Sequence, residues 1–180
     1  MSRAYQLDAL KRHNIDVSKL GCVMLDVEAP DLSEAIPESW AYHSADPAHR
    51  WVTGVQAEGH ATLLYGLLPA LADLNGVDEV LDGWERPSVL RAHELEVFRS
   101  PFPDEPYSCI VARVDCPELD DAHARLSLLP HINTYPTYKP HVTLAYVHAD
   151  RENAAVEALG DVTLEFPTLG LNYGRALTAK

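Results

Sequence analysis

His60-Ala61-Thr62-Leu63-Leu64-Tyr65 and His141-Val142-Thr143-Leu144-Ala145-Tyr146 are two copies of one pattern, with His, Thr, Leu and Tyr at matching offsets 81 residues apart. Residues two apart project from the same face of a strand, roughly 6 to 7 Å from each other, whereas in a helix they diverge. Read as strands, each copy therefore aims a histidine and a threonine at a common face. A separation of about half the chain predicts two similar lobes whose central strands lie side by side. The four polar groups then converge on one cleft.

Working outward, Cys22 to Val27 reads as a buried strand, and Ala29 to Gly54 as a long loop carrying Pro30, Pro37 and Pro47 together with Trp40, Tyr42 and Trp51. A strand over 59–65 and a helix from Pro69 to about Leu81 follow. Ser88 to Phe98 and Tyr107 to Val114 read as a hairpin, and Pro117 to Leu128 as a helix. The Pro-rich loop 130–140 leads into a strand over 141–147, a helix over 151–159, and one or two strands between Val162 and Tyr173. A short amphipathic helix is expected at about 3–15. This order predicts an α+β or mixed α/β fold in a single domain over 1–180, since no low-complexity linker divides the chain.

The 180 residues include 14 Lys and Arg against 27 Asp and Glu, for a net charge of −13. Such a field repels polyanions, so tight binding to long nucleic acid, which rests on many Lys and Arg contacts to phosphates, is not expected. Arg3, Asp8, Lys11, Arg12 and Asp16 interrupt the first thirty residues, and no later stretch approaches eighteen apolar residues, so neither an export signal nor a membrane span is expected. Three cysteines without zinc spacing suit a reducing cytosol. The remaining histidines, His43, His49, His93, His123, His131 and His148, form no metal-binding pattern, and GxSxG, Walker A and GxGxxG segments are absent.

Two facing imidazoles suit phosphodiester cleavage, which requires one proton taken from the attacking oxygen and one delivered to the leaving oxygen. Histidine does either near neutral pH. Two hydroxyls beside them can donate to the non-bridging oxygens where charge accumulates. The scheme requires no metal or other cofactor. The two HxTL segments, one preceded by Gly59 and the other by Tyr138-Lys139-Pro140, resemble the 2H phosphoesterase superfamily, named for its two His-x-Thr/Ser motifs. That resemblance implies a bilobal, pseudo-twofold α+β fold with antiparallel sheets around a central cleft and helices outside. It implies metal-independent phosphodiester cleavage, with His60, Thr62, His141 and Thr143 as catalytic residues and Tyr65 and Tyr146 at the substrate. The HATLLYG and YKPHVTLAY forms look most like phage phosphodiesterases that destroy the cyclic oligonucleotide signals of bacterial CBASS immunity, which places the chain in a host cytoplasm. The alternatives are a 2′,3′-cyclic nucleotide phosphodiesterase or 2′-5′ RNA ligase-like enzyme of RNA processing, and a protein that sequesters nucleotides without turnover.

Other side chains are candidates for substrate contact. Trp84, Tyr135, Tyr138, Trp40, Tyr42 and Trp51 could stack on bases, Lys139 could neutralise a phosphate, and Glu165 and Asn172 could read a purine edge. The partner expected is thus a small cyclic or oligo-nucleotide.

Overall fold

The computed structural model describes residues 20–68, 71–102, 104–133, 137–160 and 164–174; the expected helix at 3–15 and Tyr135 lie outside them. Six strands, β1 (Gly21–Val27), β2 (Gly59–Leu67), β3 (Val89–Arg99), β4 (Tyr107–Val114), β5 (His141–His148) and β6 (Glu165–Tyr173), alternate with helices α1 (Leu74–Val80), α2 (Pro117–Leu126) and α3 (Glu152–Gly160). Every strand pairing is antiparallel, and the order β1-β2-β5-β4-β3-β6 closes on itself. The architecture is α+β, as the motif and element order imply. No helix among the described residues is long and apolar enough to cross a membrane.

Two helices are shorter than their apolar spacing predicts. α1 starts at Leu74 rather than near Pro69, because the Asp73 carboxylate accepts from the Gly76 N–H at 3.0 Å and caps the first turn. α2 begins at Pro117, whose missing N–H costs nothing at a first-turn position, and ends at Leu126 instead of Leu128. Between Val162 and Tyr173 the described residues form one strand, β6.

A pseudo-twofold relates the halves. In the seam between β2 and β5, Ala61 pairs with Val142, each one residue past its motif histidine. In the seam between β3 and β6, Leu90 pairs with Phe166, flanked on either side by the symmetric pairs Val89–Pro167 and Arg91–Glu165. The axis passes through both seams. It carries β1 onto β4, so that GCVMLDV (21–27) lies over SCIVARV (108–114), with Asp26 opposite His60 just as Arg113 is opposite His141.

Both motif strands skip one residue at the same point. Between Val23 and Met24 the partner jumps from Leu64 to Thr62, and between Ile110 and Val111 from Ala145 to Thr143. Leu63 and Leu144 are the bulged residues, and their carbonyls are satisfied elsewhere, Leu63 by the His123 Nδ1–H at 2.7 Å and Leu144 by the Gln56 N–H at 2.9 Å. A bulge reverses the alternation of side chains beyond it.

β2 and β5 diverge after the single seam pair, which leaves two strand edges to cover. The segment 41–56 lies along β5, with bonds from Tyr42 N–H to Tyr146 O and from Tyr146 N–H to Gly54 O. The segment 130–132 lies along β2, with bonds from Ile132 N–H to Gly66 O and from Leu68 N–H to Pro130 O. Each Pro-rich loop thus covers the motif strand of the opposite lobe. Leu25, Ala61, Leu63, Ala112, Val142 and Leu144 pack with Leu119, Leu126, Val77 and Leu159 into the core on the helix side of the sheet. Burying each leucine there contributes roughly 1.5–3 kcal/mol. The residues alternating with them emerge on the other face.

Candidate active site

That other face carries both motifs. Strand alternation puts His60 and Thr62 beside Met24 and Asp26, and His141 and Thr143 beside Val111 and Arg113. Past each bulge the reversed alternation brings Tyr65 opposite Cys22, and Tyr146 opposite Cys109, onto this same face. At five residues from its histidine, a regular strand would have turned each tyrosine to the core.

The histidines are near enough to feel each other electrostatically. The Nδ1–H of His141 donates to the Lys139 carbonyl at 2.7 Å, since a carbonyl only accepts, and this leaves Nε2 for chemistry. The edge of Phe98 packs against the ring, with centroids 5.1 Å apart. Burial among these neighbours holds the His141 imidazolium below its ordinary pKa; the Lys139 carbonyl opposes that effect and Arg113 adds to it. His60 touches water at the cleft surface, yet protein fills most of its surroundings and lowers its pKa as well, against the pull of Asp26. Both imidazoles are therefore biased toward the neutral form.

A thiol stands beside each threonine. Cys109 Sγ lies 3.9 Å from Thr143 Oγ1, and Cys22 hydrogen-bonds Thr62. Burial raises both thiols, to about 11 for Cys109 and about 12 for Cys22, so at neutral pH they are protonated. An S–H that donates to the threonine oxygen leaves the threonine O–H to donate elsewhere.

The other expected contacts divide. Trp51 is 48% exposed and meets Tyr146 edge-on at 5.7 Å, while Tyr146 is buried beneath it against Tyr107. Tyr138 braces the site from behind: its O–H donates to the Thr62 carbonyl at 3.1 Å and its ring stacks on His123 at 3.9 Å. The Lys139 ammonium is engaged by Glu96 at 3.0 Å. Tyr42 packs beside Tyr107, and Trp40 against the core. Asn172 lies on the cleft face, donating to both oxygens of Asp26 at 3.2 and 3.0 Å.

Two expected contacts are placed away from the motifs. Trp84 packs on the helix side and donates its indole N–H to the Glu118 carbonyl at 2.8 Å, beside a shallow cavity of about 610 Å³ lined by Asp78, Arg86 and Leu171. Glu165 pairs with Arg91 at 2.8 Å in the β3–β6 seam, across the barrel from β2–β5. Trp84 was suggested by its place after the first motif and Glu165 by its place on the last strand, and strand order separates both from the histidines.

Asp46, His49 and Glu105 bring potential metal-ligand atoms within 4.8 Å of one another. Glu105 Oε2 is buried with no hydrogen-bond partner among the described residues. Glu105 Oε1 accepts from Ser44 Oγ at 2.7 Å and from the His49 Nδ1–H at 3.0 Å, and the His49 ring stacks on Phe102 at 4.1 Å. These contacts hold the 44–52 segment, and with it Trp51, over β5.

Sequence reasoning missed Asp26, Glu96, Phe98, Arg113, His123 and the two cleft cysteines as parts of this site. One signal was available: Cys22-Val23 and Cys109-Ile110, followed by Val27 and Val114, form a second repeat 87 residues apart.

No protein-family model and no curated protein matches the sequence. Among solved structures, Kluyveromyces marxianus Usb1 is similar at a TM-score of 0.51 and 9% identity, covering 89% of this chain and 95% of that one. The same protein with uridine monophosphate gives a TM-score of 0.50 at 11% identity, covering 91% and 97%. The likeness extends over nearly the whole of both chains and establishes the fold, of 2H-phosphoesterase type.

Proposed function

We propose that this chain is a phosphodiesterase of the two-histidine kind acting on small nucleotides. One imidazole takes the proton of the attacking hydroxyl, the other delivers a proton to the leaving oxygen, and Thr62 and Thr143 donate to the non-bridging oxygens. The observation that carries the reading is the duplicated His-x-Thr on one face, centred on the Ala61–Val142 pair. A core histidine satisfied by one neighbour has no need of a symmetric partner, or of a matched threonine beside it.

The substrate class we infer is the cyclic di- or trinucleotide messenger, cleaved at a 3′,5′ linkage, as the motif resemblance to phage enzymes that evade CBASS immunity implies. Two features support a small ligand. The net charge of −13 opposes a long polyanion, and Arg113 and Lys139, on the His141 side of the cleft, both interact with Glu96. Trp51 supplies an exposed ring for a base. The likeness to Usb1 with uridine monophosphate favours a second reading, cleavage at RNA ends or of 2′,3′-cyclic phosphates.

Mass spectrometry of products from a panel of cyclic di- and trinucleotides, 2′,3′-cyclic nucleotides and a twenty-residue RNA, all with EDTA present, separates these readings. The expected result is linear product from the cyclic oligonucleotides, with roughly 10²-fold loss or more in His60→Ala and in His141→Ala. Faster cleavage of the RNA at equal phosphate concentration promotes the RNA-processing reading. Tight binding with no product from any substrate replaces the enzyme by a sequestering protein.

A further inference from the structure

The pseudo-twofold makes the two histidines equivalent in backbone position, but not in charge. Across from His60 stands Asp26, its carboxylate held by both bonds from Asn172. At the equivalent place across from His141 stands Arg113. Direct cross-strand neighbours have Cβ atoms roughly 4.5–5.5 Å apart, close enough for one charge to bias its partner.

The remaining charged groups around His141 do not reverse the contrast. Glu96 on β3 lies 3.5 Å from Arg113 and 3.0 Å from Lys139, so one carboxylate is shared between two cations. Glu94, also across from Arg113, directs its carboxylate toward His93 at 3.6 Å. Arg113 is largely buried, and its Nη1 has no hydrogen-bond partner among the described residues. A guanidinium this poorly neutralised disfavours a second cation beside it.

We propose that these neighbours divide the roles: Asp26 makes His60 the proton donor, and Arg113 makes His141 the proton acceptor. This rests on the phosphodiesterase reading and deepens it. Nε2 of His141 takes the proton of the attacking hydroxyl, the resulting oxygen bonds to phosphorus, the bond from phosphorus to the 5′ oxygen breaks, and His60 protonates that oxygen so that it leaves as an alcohol. His141 ends protonated and His60 neutral, and exchange with water restores both. Asp26, Asn172 and Arg113 are positioning residues that act through the histidines.

The test compares the full chain, His60→Ala and His141→Ala on a 3′,5′-dinucleotide and on a ribonucleoside 3′-(4-nitrophenyl phosphate), whose leaving group needs no proton. On the dinucleotide both variants should lose roughly 10²-fold or more. On the nitrophenyl ester His60→Ala should recover to within about tenfold of wild type, while His141→Ala stays down by roughly 10². Recovery of His141→Ala alone, of both variants or of neither overturns the division. If both variants keep full activity on the dinucleotide, the two-histidine reading itself fails, and the division with it.

The pH profile of kcat/KM gives a second readout on different variants. Asp26→Asn removes the charge that favours His60 imidazolium, so the alkaline limb should move to lower pH. Arg113→Met removes the charge that disfavours His141 imidazolium, so the acid limb should move to higher pH. Each change narrows the bell. A bell widened by either substitution overturns the assignment, and Asp26→Asn answers the question even if Arg113→Met does not fold.

Discussion

Gly66 joins the fold to the chemistry. It lies at the end of β2 with φ +110, and a Cβ built on it would sit 2.2 Å from the carbonyl oxygen of Ile132, which is backbone. Gly66→Ala therefore incurs the strain of a left-handed residue, about 1–3 kcal/mol. It must also push Ile132 away, disrupting the bonds from Ile132 N–H to Gly66 O and from Leu68 N–H to Pro130 O, at about 0.5–1.5 kcal/mol each. The sum is about 2–6 kcal/mol, and for a chain of this size it lowers Tm by about 4–24 °C. The displaced segment leads to Tyr138 and to the Lys139 carbonyl that orients His141, so kcat should fall in the variant even at temperatures where it is folded. Scanning calorimetry of Gly66→Ala beside Gly160→Ala checks this. A Cβ at Gly160 meets nothing within 4 Å, and that helical change should be neutral or stabilising by up to about 1 kcal/mol. A Gly66→Ala protein that melts within about 2 °C of wild type would refute the account of how loop 130–140 is attached to β2.

Thr62→Val and Thr143→Val keep the branched shape while removing the hydroxyl, so circular dichroism melts should stay near wild type while kcat falls by roughly 10-fold or more; unfolding instead would make the hydroxyls structural. Because burial lowers both His60 and His141, the kcat/KM bell should centre on the acid side of the ordinary imidazole value, and a rate that rises steadily with pH would exclude paired imidazoles. A histidine whose folded pKa lies below its unfolded one costs stability only as pH falls from the unfolded value toward the folded one. Glu105 and Glu152, lowered by their hydrogen bonds, likewise lose their contribution as pH falls, so urea midpoints should decline on acidification, first through the imidazole range and then through the carboxylate range. Trp84→Ala should lower stability by up to about 3–5 kcal/mol while leaving KM within twofold of wild type, a result opposite to that expected of a base-stacking residue.

The motif itself was legible because it depends on a local rule. His60 and Thr62, or His141 and Thr143, two apart in a strand, share a face whatever the rest of the chain does. Matched copies half a chain apart then imply a symmetric pair of strands. Alternation alone would have turned Tyr65 and Tyr146 to the core; the motif resemblance put them at the substrate, and their side chains reach the cleft because Leu63 and Leu144 bulge. A bulge arises from the pairing between strands, and no single strand's sequence records it. The start of α2 at Pro117 was legible in the sequence; that of α1 was not, because the Asp73 cap sets it and the apolar spacing before Asp73 suggested a longer helix.

The sequence by itself thus determined that each His-x-Thr pair shares one strand face and that the chain holds two matched copies, because these follow from alternation and repetition along the backbone. Tertiary structure alone decided which charges flank which histidine. Asp26 is 34 residues from His60 and Arg113 is 28 from His141, and either separation is bridged only once the strands align. It likewise placed Trp84 and Glu165 away from the motifs and brought Trp51 over Tyr146. Pair interactions depend on distance in space, which folding sets through the register of six strands, and a linear sequence carries that register only implicitly.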